Sequence, residues 1–326
     1  MGTANIKEAQ TMELLFLQAI FKERIWGGHK LKTDFGYSLS SNQTGECWAI
    51  SAHKNGETCI RNGIYAGTPL SQLWNEHPEL FANSESREFP LMVKILDAND
   101  DLSVQVHPDD KFAQLIENDL GKAECWYVLD AATDAKIIYG HNAQSSDEFK
   151  QLATHGEWNK LLNYVPVKAG DFFDVPTGTV HALGKGTLIL EVQQSSDTTY
   201  RLYDYERRDA AGNLRELHLD KAFAVIKSPQ TNAVAKPEER NIGLEATFTN
   251  LTMNQHFQVG KLEINGKLEL TLSVPYLLIS VVSGEAILNG QTIKKGDHLI
   301  VPNQMRKLNF SGYVSLIICN EVVSES

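Results

Sequence analysis

The chain has 326 residues, 42% of them hydrophobic and 22% charged, which is enough for a large core and for two domains. Its formal net charge is -11 and it has no run of Lys or Arg, so nucleic acid and anionic membranes are not expected as its main partners. The four cysteines are scattered without a Cys-x-x-Cys pair, which predicts reduced thiols in a cytoplasmic protein.

The predicted elements begin with LLFLQAIF (14–21). This run is too short to span a bilayer and has no cleavage site after it, so we interpret it as a buried strand. Further strands are predicted where β-branched and aromatic residues are bounded by Asp, Asn or Gly. These strands cover residues 91–98, 102–107, 124–131, 135–141 and 187–194.

Helical spacing or start signals occur in four stretches, at 68–81, 108–118, 145–163 and 214–227. From 229 to 241 the chain is polar with two prolines, which predicts a linker. After the linker the sequence is almost wholly typical of strands. We therefore expect a larger, mainly β part followed by a smaller all-β part.

A partial repeat connects the two parts. Residues 170–181 read GDFFDVPTGTVH and residues 296–307 read GDHLIVPNQMRK, so both have Gly, five residues and then Pro. Lys307 stands in the second copy where the first has His181. Glycine, a short strand and proline also occur together by chance, but two copies in β-rich segments favour duplicated small barrels with possible ligands kept only in the first.

Four polar residues on the predicted strands are candidates for a metal site. Gln105 and His107 alternate on one strand, Glu124 begins the next strand, and His181 follows a glycine-containing turn. Imidazole and oxygen donors that converge from neighbouring strands suit a divalent metal. Taken singly, each residue is as well explained as a packed side chain or as part of a solvated edge strand.

Basic residues in two places suggest an anion site. Arg201 and Arg207 lie in a tyrosine-rich loop after the strand that carries Glu191, where they form either an anion clamp or a solvated loop with surface ion pairs. Lys94 interrupts an apolar run and Lys122 precedes Glu124 by two residues. A lysine on a buried strand is costly unless it faces a polar cavity.

Four long stretches are distinctive as motifs: VKILDANDDLSVQVHPDD, GKAECWYVLDA, DFFDVPTGTVHALGKG and LEVQQSSDTTYRLYDY. With FKERIWGG (21–28) and GECWAIS (45–51), they resemble the class I mannose-6-phosphate isomerases in their short bacterial form.

The resemblance implies a mainly β fold of the cupin superfamily. We expect two cupin (jelly-roll) barrels with a few added α-helices. Residues 12–228 would form a metal-bearing catalytic domain with helical additions, 229–241 a linker, and 242–326 a cupin-like domain without metal ligands. One zinc ion per chain would be held by Gln105, His107, Glu124 and His181.

The activity that the resemblance implies is zinc-dependent interconversion of mannose 6-phosphate and fructose 6-phosphate by proton transfer through an enediol(ate). Arg201 would be catalytic, and Lys122 and Glu191 are both candidates for the base. Ser103, Lys94 and Arg207 are the expected substrate contacts.

We expect a small phosphosugar substrate, no membrane or nucleic-acid partner, and a monomer or weak homo-oligomer in the cytoplasm. The alternatives are a cupin dioxygenase with iron on similar ligands and a non-catalytic sugar-binding or regulatory cupin.

Overall fold

β-Strands dominate the computed structural model, which describes residues 13–208, 211–230 and 237–322. In chain order the strands are β1 Leu15–Gln18, β2 Ile20–Gly28, β3 Thr44–Ile50, β4 Ala52–His53, β5 Gly56–Glu57, β6 Cys59–Ile60, β7 Leu91–Ala98, β8 Val104–Val106, β9 Glu124–Ala131, β10 Lys136–His141, β11 Leu162–Pro166, β12 Phe172–Val175, β13 His181–Ala182, β14 Thr187–Gln194, β15 Tyr200–Tyr203, β16 Glu238–Asn241, β17 Ala246–Met253, β18 Phe257–Thr271, β19 Leu277–Leu288, β20 Gln291–Lys294, β21 His298–Val301 and β22 Lys307–Glu321. The α-helices are α1 Lys30–Thr33, α2 Leu70–Glu76, α3 Asp110–Ile116, α4 Ser146–Thr154, α5 Trp158–Leu161 and α6 Leu219–Val225. Two 3₁₀ helices span Gly63–Tyr65 and Pro78–Phe81.

The strands form three large sheets and a small hairpin of β4 and β5. A nine-stranded sheet has the order β16-β17-β18-β22-β19-β21-β1-β6, with β20 on β19. A six-stranded sheet has the order β12-β9-β14-β7-β2-β3, and a five-stranded sheet the order β11-β10-β13-β8-β15. The prediction of a mainly β protein is confirmed, whereas the two closed barrels are not, because the described strand pairings leave each sheet open.

Strand pairing extends across the predicted domain boundaries at two places. The N-terminal strand β1 pairs with β21, so the nine-stranded sheet includes residues from both ends of the chain. Strand β16 lies inside the predicted linker and pairs with β17. Residues 1–12 and 231–236, which include the start of the predicted catalytic domain and part of the linker, lie outside the described residues. The domain limits stay a prediction.

The six-stranded sheet is buried on both faces. Alternate side chains of its strands point in opposite directions and pack in different apolar clusters. On β7, Val93 and Ile95 belong to an apolar cluster that also contains Leu278 of the C-terminal sheet. Leu96 on the same strand packs in a different cluster with Ile137 of β10. One face thus packs against the C-terminal strands and the other against the five-stranded sheet.

The five-stranded sheet separates the cavity from the added helices. Val104 and Val106 of β8 pack in a cluster with Phe149 of α4 and Ala222 of α6. Gln105 lies between these valines and therefore points the other way, toward the six-stranded sheet. The polar residue of the VQV strand is placed between the two sheets by this alternation.

The sequence repeat has a structural counterpart. Gly170 and Gly296 have φ values of +90° and +89°, which glycine adopts without the steric cost that a Cβ would bring. Each is followed by a strand, β12 in the first copy and β21 in the second. Lys307, at the position equivalent to His181, begins β22. The two segments share their turn and strand, and only the first ends in a histidine.

Each predicted helical stretch contains a helix, but two of them are interrupted. Residues 68–81 form α2 and a 3₁₀ helix, and residues 145–163 form α4 and α5 with a turn between them. Asp109 is the N-cap residue of helix α3, and its Oδ1 accepts a hydrogen bond of 2.9 Å from the backbone N–H of Phe112. The helix predicted from residue 214 begins only at Leu219. The preceding residues run beside β15 instead, where the N–H of His218 donates to the Arg201 carbonyl at 2.8 Å. None of the described helices has the length and apolar character needed to cross a membrane.

Candidate active site

A cavity of about 450 Å³ lies between the six-stranded and five-stranded sheets. It contains six of the ten predicted site residues. A second cleft of about 500 Å³, bordered by Asp110 and His256, contains none of them. The residues that line the first cavity are Arg24, Trp26, Glu46, Lys94, Leu96, Leu102, Ser103, Gln105, Lys122, Glu191, Asp197, Thr199, Arg201 and Arg215.

Three of the four predicted metal ligands form a tight buried cluster. The Nε2 atoms of His107 and His181 lie 3.2 Å apart. Each of these atoms lies 3.3 Å from an oxygen of the Glu124 carboxylate. Neighbouring ligands of a four-coordinate zinc ion with bonds of about 2.0–2.1 Å are separated by about 3.3 Å. The spacing of these donors therefore fits a metal of that size.

The protonation of the cluster also suits a cation. His181 Nδ1 lies 2.9 Å from the carbonyl of Thr179, so the ring can donate there and leave Nε2 with a free lone pair. Burial, followed by the charge of Lys122, lowers the pKa of His107 to about 3, and burial lowers that of His181. Both oxygens of Glu124 are buried without a hydrogen bond of good geometry from the described residues. Such orphaned acceptors are costly unless a cation satisfies them.

Strand register and one glycine turn bring the ligands together. His181 lies opposite Gln105 in the pairing of β13 with β8. The N–H of Gly178 donates to the carbonyl of His107 at 2.9 Å, which ties the turn to the end of β8. Gly178 has φ +83°, and a Cβ there would lie 2.8 Å from the carbonyl oxygen of Val225. The half-buried Gln105 lines the cavity beside the cluster, and its role as fourth ligand stays a prediction.

Lys122 is part of the charged cluster. Its Nζ lies 3.2 Å from Glu124 Oε2 and 3.2 Å from His107 Nε2. Burial lowers the pKa of Lys122, but the charges of Glu124, Glu191 and Asp197 raise it by more, so the net shift is upward. The groups around Lys122 therefore favour its charged form.

Glu191 is a buried carboxylate that lines the cavity. Its Oε1 accepts a hydrogen bond of 3.1 Å from the indole N–H of Trp126, and its Oε2 lies 3.8 Å from Lys94 Nζ. Burial, followed by the charge of Glu124, raises the pKa of Glu191 to about 7. The Trp126 ring also contacts the ring of His181, with centroids 5.3 Å apart. Trp126 thus contacts both the Glu191 carboxylate and a member of the His107, Glu124 and His181 cluster.

Lys94 is buried because it faces a polar cavity, as its interruption of an apolar run predicts. Its Nζ lies 4.6 Å from the centroid of the Trp48 ring, which gives a cation–π contact in addition to the ion pair with Glu191. Lys94 and Glu191 are directly opposite each other in the pairing of β7 with β14.

Arg201 and Ser103 meet at the other end of the cavity. Arg201 lies opposite Gln105 in the pairing of β15 with β8, and its Nε donates to Ser103 Oγ at 3.2 Å. Its Nη1 donates to the carbonyl of Glu216 at 2.8 Å. These contacts fix the guanidinium beside the cavity.

Arg207 is the predicted site residue that the structure places furthest from its expected role. Its guanidinium donates to the carboxylate of Asp204 and to the carbonyl of Asp101, and it does not line the cavity. Its donors are occupied by protein oxygens, which argues against direct contact with a phosphate.

The residues that sequence reasoning missed are Glu46, Asp197 and Arg215, all of which line the cavity. Glu46 lies in the quoted block GECWAIS, where it accepts from Arg24 Nε at 2.7 Å. Asp197 accepts from Asn55 Nδ2 at 3.0 Å. Arg215 lies in the stretch 214–227, which the sequence analysis predicted to be helical. No spacing signal in the sequence marks these three residues.

Comparisons with known proteins identify the family of the chain. Residues 14–127 match the phosphomannose isomerase type I catalytic domain, and residues 247–320 match the mannose-6-phosphate isomerase cupin domain. Mannose-6-phosphate isomerase ManA of Bacillus subtilis is 50% identical over 317 residues, which cover 94% of this chain and 99% of that protein. Mannose-6-phosphate isomerase of Streptococcus mutans is 49% identical over 310 residues, covering 94% and 97%.

Solved structures give the same result. The crystal structure of mannose 6-phosphate isomerase from Bacillus subtilis superposes with a TM-score of 0.91 at 44% identity, covering 94% of this chain and 99% of that one. A zinc-bound mannose 6-phosphate isomerase at 16% identity shares the fold, with a TM-score of 0.77 and coverage of 95% and 100%. The chain belongs to the type I mannose-6-phosphate isomerase family.

Proposed function

We propose that this chain interconverts D-mannose 6-phosphate and D-fructose 6-phosphate in the cavity between the two sheets. The observation that carries the proposal is the buried cluster of His107, Glu124 and His181 in a chain about half identical to two named isomerases. Trp126 connects this cluster to a carboxylate, Glu191, whose pKa is raised to about 7. A metal site beside a group able to exchange protons near neutral pH suits an aldose-ketose isomerase.

One zinc ion per chain, held by Gln105, His107, Glu124 and His181, is the proposed cofactor. The 3.2–3.3 Å spacing of the nitrogen and oxygen donors supports it, as does the mannose 6-phosphate isomerase of the same fold that has been solved with zinc. When bound, zinc would supply Lewis-acid stabilisation to the sugar oxygens at C1 and C2.

Glu191 is our choice for the base. Isomerisation removes the proton from C2 of the open-chain aldose and returns a proton to C1, through an enediol(ate). Glu191 is free of the metal cluster and has a pKa close to the working pH, the condition under which one group both accepts and returns a proton. Lys122 instead contacts Glu124 and His107, where its charge acts on the cluster.

Arg201 is proposed to stabilise the negative charge that develops on the enediolate. Its side chain is fixed by Ser103 and by the Glu216 carbonyl, so its position is set before substrate arrives. Ser103 and Lys94 are proposed substrate contacts because both line the cavity. The monomeric or weakly oligomeric state and the cytoplasmic location stay predictions.

The proposal is tested by following mannose 6-phosphate by nuclear magnetic resonance in D₂O with the metal-replete chain. Fructose 6-phosphate should form with deuterium at C1, because the proton taken up by Glu191 exchanges with solvent. Product without any deuterium would contradict exchange of the Glu191 proton with solvent, because a shielded base returns to C1 the hydrogen that it took from C2. No product at all would contradict the isomerase itself, and oxygen uptake in its place would indicate the iron dioxygenase alternative.

A further inference from the structure

The cavity that Ser103 lines has five basic and three acidic residues in its walls, an excess of positive charge in a chain whose net charge is -11. Arg201 and Arg215 both line the cavity there. Burial and then the nearby charge of Arg215 lower the pKa of Arg201, as expected for two guanidinium groups brought close together. Like charges are held together at a cost unless an anion joins them, so this part of the cavity is suited to a negatively charged group.

A single buried carboxylate holds Arg215 in place. Asp204 is 5% exposed, and it accepts from Arg215 Nε at 2.7 Å and from Arg215 Nη2 as well. This is a two-point pair with a fixed geometry. Arg215 Nη1 has no hydrogen bond to an acceptor of the described residues, whereas Nε and Nη2 each donate one to Asp204.

Asp204 also binds Arg207, on the side away from the cavity. Arg207 donates to the same oxygen, Oδ1, and to the carbonyl of Asp101, and it pairs with the exposed Asp100 at 3.7 Å. Arg207 therefore supports Asp204, while Arg215 reaches the cavity.

We propose that Arg215 binds the phosphate of the substrate and that Asp204 is its positioning residue. Arg207 and Arg215 share the buried Asp204 carboxylate, and Arg201 forms no ion pair with the described residues, so these four groups carry a net charge of +2 before the exposed Asp100 is counted. A phosphate monoester carries about 1.5–2 negative charges at pH 7 and matches that excess. Arg215, Arg201 and the Ser103 hydroxyl together offer donors for its oxygens.

This inference rests on the proposed function, because it assumes a 6-phosphate ligand in the cavity. The test is therefore direct calorimetric titration with mannose 6-phosphate and with inorganic phosphate, performed alongside turnover on metal-replete protein. If the chain binds both ligands but fails to turn over, the proposed function fails while Arg215 can still be assessed.

Arg215→Gln should weaken binding of both ligands and raise KM by about 10- to 100-fold, with kcat changed less than about threefold. Arg208→Gln is the matched control, since Arg208 is an exposed arginine of the same segment that donates to the Gly212 carbonyl and does not line the cavity. It should change these affinities less than about threefold. Melting temperature and metal content identify variants that fail to fold. The proposal is overturned if Arg215→Gln leaves phosphate binding unchanged or if Arg208→Gln weakens it more.

The positioning role of Asp204 is tested by non-additivity. Asp204→Asn should weaken phosphate binding in the native background but have no further effect when Arg215 is already Gln, because Asp204 acts through that side chain. An equal loss of affinity in both backgrounds would contradict the positioning role.

Discussion

The buried Nε2 atoms of His107 and His181 lie 3.2 Å apart, and the Glu124 carboxylate lies 3.3 Å from each. The pKa values of both histidines are below the ordinary value, so both rings are neutral at pH 7. Neutral imidazoles and an ionised carboxylate are the forms that bind a divalent metal.

His107→Gln should remove bound metal and isomerase activity together. Changing a residue that only hydrogen-bonds to a metal ligand lowers metal affinity by about 10- to 100-fold, so loss of a ligand itself should lower it at least that much. His141→Gln is the control, because His141 is a buried histidine of the five-stranded sheet whose Nε2 donates to the Lys227 carbonyl at 3.0 Å. Metal analysis by mass spectrometry should show full occupancy in the control. A His107 variant that keeps its metal would rule out this ligand.

Arg201→Ala should lower kcat by about 100-fold or more, the cost of removing a donor aimed at developing charge, while metal content stays intact. The guanidinium contacts Ser103 and the Glu216 carbonyl, not the metal cluster. Steady-state kinetics with metal analysis checks this. If the variant loses metal instead, the arginine has a structural role.

Glu191→Gln should lower kcat by about 10²- to 10⁴-fold, since it preserves the shape of the side chain but cannot accept a proton. Lys122→Met is the comparison, because it removes the charge next to Glu124 while keeping the chain length. We expect the Lys122 variant to lose less turnover. The reverse order in kcat would make Lys122 the base.

The stability of the fold should fall with acid through His298, which is 2% exposed and lies 2.9 Å from both Ser280 Oγ and Tyr37 Oη. Burial and then the charge of Arg61 lower the pKa of His298 to about 3. The unfolded chain binds a proton near pH 6.5 that the folded chain cannot, so stability is present above pH 6.5 and is lost as the pH falls toward 3. This histidine should account for about 2 kcal/mol between pH 7 and pH 5.

Urea unfolding of the native chain and of His298→Gln at the two pH values measures that contribution. The variant should be less stable at pH 7, yet lose about 2 kcal/mol less on acidification. Equal losses in both proteins would mean that His298 is not the group responsible.

Sequence patterns predicted the parts of the site that lie on strands. Alternation on one strand indicated a polar face for Gln105, because a strand has only two faces. The interruption of an apolar run by Lys94 indicated a polar cavity next to another strand. The glycine turn before His181 was also visible, since the positive φ of Gly178 requires a specific residue type. Arg215 and the pairing of Arg207 with Asp204 could not be predicted in this way. These contacts depend on how the loop after β15 returns to that strand. Residues 214–218 have a helical sequence pattern, but His218 forms hydrogen bonds with the backbone of Arg201 instead.

The separation into two closed barrels was predicted from the repeat and the resemblance but does not appear in the strand pairing. Local turns such as those at Gly170 and Gly296 repeat, since they depend on a few neighbouring residues. Sheet closure depends on long-range pairing, and β1 pairs with β21 and β6 in the C-terminal sheet.

The central claim is that the buried His107, Glu124 and His181 cluster holds a metal that isomerase activity requires. The most direct measurement is the rate of fructose 6-phosphate formation from mannose 6-phosphate before chelation, after complete removal of metal, and after return of one equivalent of zinc per chain. We predict activity, then its loss, then its recovery in proportion to zinc bound. Full activity in protein shown to contain no metal would contradict the account.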